Sequence, residues 1–345
     1  MFELLTLSAM LLCPPEEGNA HLKVSPAAFK EWFDAAAAGK LTISPEVSQS
    51  AGRYRYVFIT GLHFGIMQGY FQQNAKELRS QGVPRDSIHF VHPSSASTVE
   101  ENAEFVRSEI QAIAAEGPEK LVLIAHSRGA CDALAFALQN PSFVKEHIEA
   151  IFLIQGPFGG TGLADYVAGD GEPIDKEMPL GYRVLDRTLG RLEAKWLDGD
   201  RHEAIASLSH RASVQFWEDL LEHNRAAVPV VAPKTFYVTS RVKPSKHSLP
   251  LRATAWYLGT YYGPNDGLVT LEDQSLPGLG TVLAVLDVGH TDLTRRFPAA
   301  RPKARLRRAI VDAIVMAVGT AEQPASKKPA AATARPEDRH RGRSR

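Results

Sequence analysis

The stretch LVLIAHSRGACDALAFAL, residues 121–138, passes from an apolar run through His-Ser-Arg-Gly into a helical pattern. Leu121 to Ala125 carry no polar side chain, which suits a strand buried on both faces. Ser127 therefore stands where a buried strand must turn sharply into a helix. Small-x-Ser-x-Gly at such a turn, here Ala125 to Gly129, is the pattern of a nucleophile elbow. There the serine takes strained backbone angles that lift its Oγ clear of the sheet edge. Its neighbours two before and two after are expected to crowd each other, so both must be small. The following helix turns its positive end toward the serine. Taken alone, the stretch is equally a serine in a tight turn.

Working outward, the same alternation repeats. Residues 53–61 (RYRYVFITG) and 87–93 (SIHFVHP) read as strands, and residues 69–82 as a helix closed by Gly82. Residues 25–38 read as a helix with Pro26 near its start. Thr98 and Glu101 form a candidate capping box, with Val99, Ala103, Val106, Ile110 and Ile113 on one helical face. AIFLIQG (150–156), KTFYVTS (234–240) and TVLAVLDVG (281–289) are further apolar strands, and residues 302–319 a closing helix. Such strands alternating with helices indicate a parallel sheet covered on both sides. The rhythm breaks after Gly160. Until about residue 230 there are helical stripes without strands: Tyr182, Leu185, Leu189, Leu192 and Trp196, then Ile205, Leu208, Ala212 and Phe216. An all-helical block between two strands reads as a cap over the strand ends, with extra helices outside the sheet as the alternative. The expected organisation is an N-terminal extension (1–52), an α/β domain (53–320) with a helical cap at about 161–230, and a disordered basic tail (321–345).

Composition narrows the function classes. Lys+Arg and Asp+Glu both number 39, so no net charge steers the chain to nucleic acid. Two cysteines, Cys13 and Cys131, exclude a disulfide-dense scaffold and a four-cysteine zinc site. The N-terminus is ambiguous. Leu4 to Leu12 are largely apolar and Gly18-Asn19-Ala20 resembles a cleavage site, but Glu3 rather than Lys or Arg precedes the run. A cytoplasmic location is favoured over a secreted or periplasmic one. No other stretch approaches the roughly 20 apolar residues of a membrane span.

A serine hydroxyl needs a base, and the base an orienting acid. On this kind of sheet they follow in the order Ser, Asp, His, on loops after later strands. Asp266 lies in the Pro- and Gly-flanked loop YYGPNDGLVT, and His290 directly after the last apolar strand in LDVGHTDLT. An oxyanion needs two backbone N–H donors. Arg128, the residue after the serine, is one candidate. Leu62, in the GLHFG loop after YVFIT, is the other. The Arg128 side chain is expected to pair with Asp132 on a solvated helix face, with a position in the cleft against an anionic head group or acyl carboxylate as the alternative. His126 is expected to support the elbow. His89 and His92 share one short strand, and no HExxH is present, so metal catalysis has no support.

With these residues in place, the sequence resembles the bacterial triacylglycerol lipases of the α/β-hydrolase superfamily. VFITGLHFG looks like their strand and oxyanion loop, with Thr60 in place of a histidine. LIAHSRGA looks like their elbow, with Ala125 and Ala130 in place of glycines. GPFGGTGLADY resembles the segment leading into the lid, SLSHRASVQF a cap helix, and NDGLV and GHTDL the acid and histidine motifs. The similarity covers residues 55–295. It implies an α/β-hydrolase fold: a mostly parallel central sheet, helices on both faces and an inserted helical cap or lid over an acyl-binding cleft. It assigns Ser127 as nucleophile, Asp266 as acid, His290 as base, and Leu62 and Arg128 as oxyanion donors. His63, Phe64 and Phe158 are assigned to substrate binding. The implied activity is serine carboxylic-ester hydrolysis, on a small-molecule or lipid ester and with transient contact to a lipid interface. Acyl transfer, phospholipid deacylation and a non-catalytic binding role are the alternatives. No cofactor is expected. Those lipases bind a structural calcium, and Asp292 matches one ligand. Residues 239–263 hold no acid to join it, so no metal is expected, and Arg241, Lys243 or Lys246 is expected to pair with Asp292.

Overall fold

Alternate residues of the apolar runs face opposite sides of one sheet. The computed structural model describes residues 22, 24–62, 69–171, 200–243, 245, 249–295 and 303–321. In chain order the elements that position the site are α1 (Pro26–Ala37), α2 (Pro45–Ala51), β1 (Arg55–Ile59), α3 (Gln72–Ser80), β2 (Ile88–Val91), α4 (Val99–Ala115), β3 (Leu121–His126), α5 (Arg128–Gln139), α6 (Pro141–His147) and β4 (Ile148–Ile154). There follow α7 (Gly162–Ala168), α8 (Asp200–Ala206), α9 (His210–His223), β5 (Thr235–Ser240), α10 (Leu249–Tyr261), β6 (Thr281–Leu286) and α11 (Ala304–Ala321). The strands form one six-stranded sheet in the order β2-β1-β3-β4-β5-β6, every pair parallel. The order reverses direction between β1 and β3, and the strand ends there open a crevice in which such sheets place their sites.

Because side chains alternate along a strand, Val57, Ile59, Leu121, Leu123 and Ala125 join one core with α4 and α5. Tyr56, Phe58, Val122 and Ile124 join a second core on the other face. Phe29 and Phe33 of α1, Val47 and Ala51 of α2, and Ala309, Ile310, Ala313 and Ile314 of α11 complete that second core. Residues 26–51, read from sequence as part of an extension, are thus a layer of the sheet's own covering. Their signals are local: Ser25 and Ser44 cap the two helices with Pro at the first turn. The close approach needs Gly319, where an added Cβ would lie 2.4 Å from the Val47 carbonyl oxygen. Full burial of a ring such as Phe29 contributes about 1.5–3 kcal/mol.

The capping box forms as read, with Thr98 accepting from the Glu101 amide and Glu101 accepting from that of Thr98. After β4 the described residues hold helices and no strand before the chain returns to the sheet: α7, α8 and α9, then a single helical turn at Val228–Val231 flanked by short 3-10 turns. The first apolar stripe, Tyr182 to Trp196, lies outside the described residues. The second, Ile205 to Phe216, is not one helix. The chain breaks at residues 207–209, where Ser209 caps α9 by accepting from the Ala212 amide. Helix α10 had no sequence assignment, because residues 249–261 show little apolar periodicity. Among the described residues no helix is long and apolar enough to cross a membrane.

Candidate active site

Strand β3 delivers Ser127 into the strand-to-helix turn at φ 57° and ψ −137°. A non-glycine residue held there costs about 1–3 kcal/mol, which surrounding contacts must offset. The Ser127 amide donates to the Ile154 carbonyl (2.9 Å) and the Ser127 carbonyl accepts from the Ala130 amide (2.9 Å). The end of β1 also confines the glycines around it. The nearest atoms to a Cβ on Gly129 would be the Thr60 carbonyl oxygen, at 2.4 Å, and neighbouring β1 backbone rather than Ala125. A Cβ on Gly61 would lie 2.7 Å from the Ser127 Cβ. The end of β1 therefore presses directly on the elbow, and glycine on both sides permits it.

Ser127, Asp266 and His290, far apart in sequence, come together. The Ser127 Oγ lies 2.9 Å from His290 Nε2, and His290 Nδ1 lies 2.9 Å from Asp266 Oδ2. Asp266 is fully buried and His290 2% exposed. Asp266 Oδ1 accepts from the amides of Leu268 (3.0 Å) and Val269 (2.9 Å), and Oδ2 also from the Gln155 side-chain amide (3.2 Å). The His290 amide donates to the Asp266 carbonyl at 2.9 Å. A carboxylate only accepts, so His290 carries its proton on Nδ1 and leaves Nε2 to accept from the Ser127 hydroxyl. Gln155 escaped the sequence reading. Its signal was a polar residue closing a fully apolar strand, and it sits at φ 53° where β4 ends.

Leu62 follows Gly61 and packs partly buried against the core. Arg128 opens α5. Neither backbone amide finds an acceptor among the described residues. The Arg128 side chain corrects the expectation of a solvated pair. It is 1% exposed and turned away from the elbow, donating to the carbonyls of Ser97 (2.7 Å) and Ser94. Its Nε is 3.9 Å from Asp132, and burial pushes the Asp132 carboxyl up to about 7 against the pull of that guanidinium. Arg128 thus ties the loop before α4 to the elbow.

Phe158 is corrected as well. It is fully buried and packs against Trp217 (5.6 Å) and Tyr237 (5.3 Å), so it fills the core instead of lining a cleft. His63 and Phe64 lie outside the described residues. Thr60, where the resemblance has a histidine, is buried with Oγ1 3.2 Å from His92 Nδ1. Asp292 Oδ2 accepts from the Gly289 amide (2.8 Å) and pairs with Lys303 (2.5 Å). Its partner is therefore Lys303 and not Arg241 or Lys243, whose residues are exposed; Lys246 lies outside the described residues. Among the described residues no three His, Cys, Asp or Glu side chains gather as metal ligands would.

No family model matches the chain, and no curated protein matches it by sequence. Solved structures do. A metagenomic carboxyl esterase superposes with a TM-score of 0.60 at 18% identity, over 91% of this chain and 98% of its own. The mature form of a Bacillus licheniformis lipase gives 0.51 at 18% identity, over 69% of this chain and 84% of its own. The chain has an α/β-hydrolase fold.

On this α/β-hydrolase sheet the helices after β4 are tied to the loop that carries Asp266. The Thr161 amide donates to the Leu208 carbonyl (2.9 Å), and the Thr161 hydroxyl to that of Leu268 (2.5 Å). His210, at the start of α9, bridges two carboxylates: Nδ1 to Asp165 (2.5 Å) and Nε2 to Asp273 (3.2 Å). Its ring stacks on Tyr262 at 5.3 Å. Burial opposes the charged ring, but the hydrogen bonds to Asp165 and Asp273 prevail and raise its pKa to about 10. Nothing local in the sequence marks His210, whose partners lie 45 and 63 residues away.

Proposed function

We propose that this protein is a serine carboxylic-ester hydrolase. The observation that carries the reading is the unbroken line of hydrogen bonds from the Ser127 hydroxyl through His290 to Asp266. The Ser127 Oγ attacks the acyl carbonyl carbon while His290 Nε2 takes the hydroxyl proton. Asp266 holds the ring and stabilises the imidazolium. The amides of Leu62 and Arg128 receive the negative oxygen of the tetrahedral intermediate. Collapse breaks the ester C–O bond. The alcohol leaves with the proton from His290, and the acyl group remains on Ser127. Water then attacks that ester, giving its proton to His290, and the second collapse releases the carboxylic acid and returns the proton to Ser127.

The acyl chain is assigned to a cavity of about 180 Å³ between the start of α4, α5 and the helices after β4. Val99, Cys131, Leu208, Phe216 and Trp217 line it, and such apolar walls suit hydrocarbon. Helices α7 to α9 would then be part of a cap over the site. The names of the two superposed structures, an esterase and a lipase, agree with an ester or lipid substrate. The test is hydrolysis of p-nitrophenyl esters of increasing acyl length by wild type and Ser127→Ala. Turnover by wild type, lost in the variant, is the expected result. Equal turnover by both would exclude Ser127 as nucleophile.

A further inference from the structure

The buried side chains behind the candidate site form one hydrogen-bonded relay. His126 Nε2 lies 2.7 Å from the His290 carbonyl oxygen. A carbonyl only accepts, so Nε2 bears hydrogen and donates. The neutral ring then has a lone pair on Nδ1, and that nitrogen meets the Tyr70 hydroxyl. Tyr70 therefore donates its proton to His126, and its oxygen accepts from the Gly61 amide at 3.1 Å. The relay runs from the Gly61 N–H to Tyr70, from the Tyr70 O–H to His126, and from the His126 N–H to the backbone of His290.

These contacts join three loops. Gly61 immediately precedes Leu62, His126 immediately precedes Ser127, and the His290 carbonyl belongs to the proposed base. Tyr70 and His126 are 5% and 1% exposed, so no solvent competes for the bonds. The segment is also fixed beside Tyr70, where the Phe71 amide donates to the Thr294 carbonyl (2.9 Å) and the Arg295 guanidinium lies 5.3 Å over the Tyr70 ring. Both relay members stay neutral. Burial raises the Tyr70 phenol above its ordinary range. Burial, then the neighbouring charge of His290, holds His126 well below the usual imidazole range. The two histidine rings are 4.8 Å apart. A neutral His126 leaves His290 free to become the only imidazolium there. Among the described residues, the charged or titratable groups facing His126 are Tyr70, His290 and Arg295, with Asp266 reached through Gln155.

We propose that Tyr70 is a positioning residue for the reaction: through His126 and Gly61 it sets the spacing between the oxyanion donor, the nucleophile and the base. The proposal rests on the serine-hydrolase reading above. A misplacement near 1 Å at such a site costs up to about 100-fold in rate, and ground-state binding does not depend on the relay. Tyr70→Phe, which keeps the ring and removes the hydroxyl, is therefore expected to lower kcat about 10- to 100-fold with KM within about twofold of wild type.

His126→Gln separates this role from packing. A glutamine amide can replace Nε2 toward the His290 carbonyl but offers Tyr70 no acceptor at the Nδ1 position, so it should reproduce the kcat loss. His126→Asn, whose side chain reaches only the Nδ1 position, keeps the Tyr70 link and loses the His290 link. It should also fall in kcat. Thermal unfolding midpoints identify folded variants, and if Tyr70→Phe does not fold, His126→Gln carries the test. A folded Tyr70→Phe or His126→Gln with wild-type kcat, or with a raised KM at unchanged kcat, overturns the proposal. Ser127→Ala is run alongside. Its activity decides the serine-hydrolase reading, so failure of that reading and failure of the Tyr70 proposal give different results.

Discussion

Two histidines grip carboxylates of the same loop, residues 264–274, and differ in what meets the second ring nitrogen. His290 gives Nδ1 to Asp266 and turns Nε2 to the Ser127 hydroxyl. His210 has Asp165 on one nitrogen and Asp273 on the other. A ring with an alcohol on its free nitrogen can take a proton and give it back. A ring between two carboxylates keeps its proton, and its pKa near 10 agrees with that. The same pair of residue types makes the proposed base in one place and a strut in the other. The strut fastens the helices after β4 to the loop whose other carboxylate holds His290.

The sharpest way to break this comparison is to remove each ring. His290→Ala is expected to lower kcat by about 10⁴-fold or more, as loss of a base does in serine hydrolases. His210→Asn is expected to change kcat less than about fivefold, because its ring touches no reacting atom. Steady-state kinetics on one p-nitrophenyl ester measures both. Comparable losses in the two variants would erase the distinction.

Asp266→Asn comes next, with an expected loss of about 10³- to 10⁴-fold in kcat. An amide there favours the wrong tautomer of His290 while leaving the shape intact. The corresponding change at the strut, Asp273→Asn, should leave kcat within a few-fold of wild type.

The smallest effect concerns stability and pH. The folded pKa of His210 lies near 10, above the ordinary histidine value of 6.5. The native state therefore holds the proton more tightly than the unfolded chain. The resulting stability is fully present below about pH 6.5 and is lost as pH rises through 10. The difference in thermal midpoint between wild type and His210→Asn should be largest near pH 6 and vanish above pH 10. A difference that grows with pH would mean that His210 is not held as a cation.

Much of the frame could be read from the sequence because its causes are local. Every strand came from a short run rich in apolar, aromatic or β-branched residues, and the elbow from one small-x-Ser-x-Gly turn. Asp266 and His290 stood out because each follows chain features, a Gly/Pro loop and the end of a strand, that place a side chain at the sheet edge. What escaped depends on contacts between distant segments. Tyr70 read as part of a helix start, and only the fold brings His126, 56 residues later, to its hydroxyl. Arg128 read as a solvated helix charge, and the carbonyls of Ser94 and Ser97 that bury it belong to another loop. Phe158 was assigned to substrate, but Trp217 and Tyr237, which pack against its ring, come from segments far along the chain. The helices before residue 52 looked like an appendage because their partner, α11, is at the other end of the chain.

The central claim is that Ser127 is a nucleophile activated by His290 and not by any other histidine. Reaction with a fluorophosphonate, followed by mass spectrometry of the peptide carrying Ser127, tests it directly. The expected result is modification of Ser127 in wild type and in His210→Asn at similar rates, with none in Ser127→Ala and little in His290→Ala. Modification that persists in Ser127→Ala, or proceeds unchanged in His290→Ala, would contradict it.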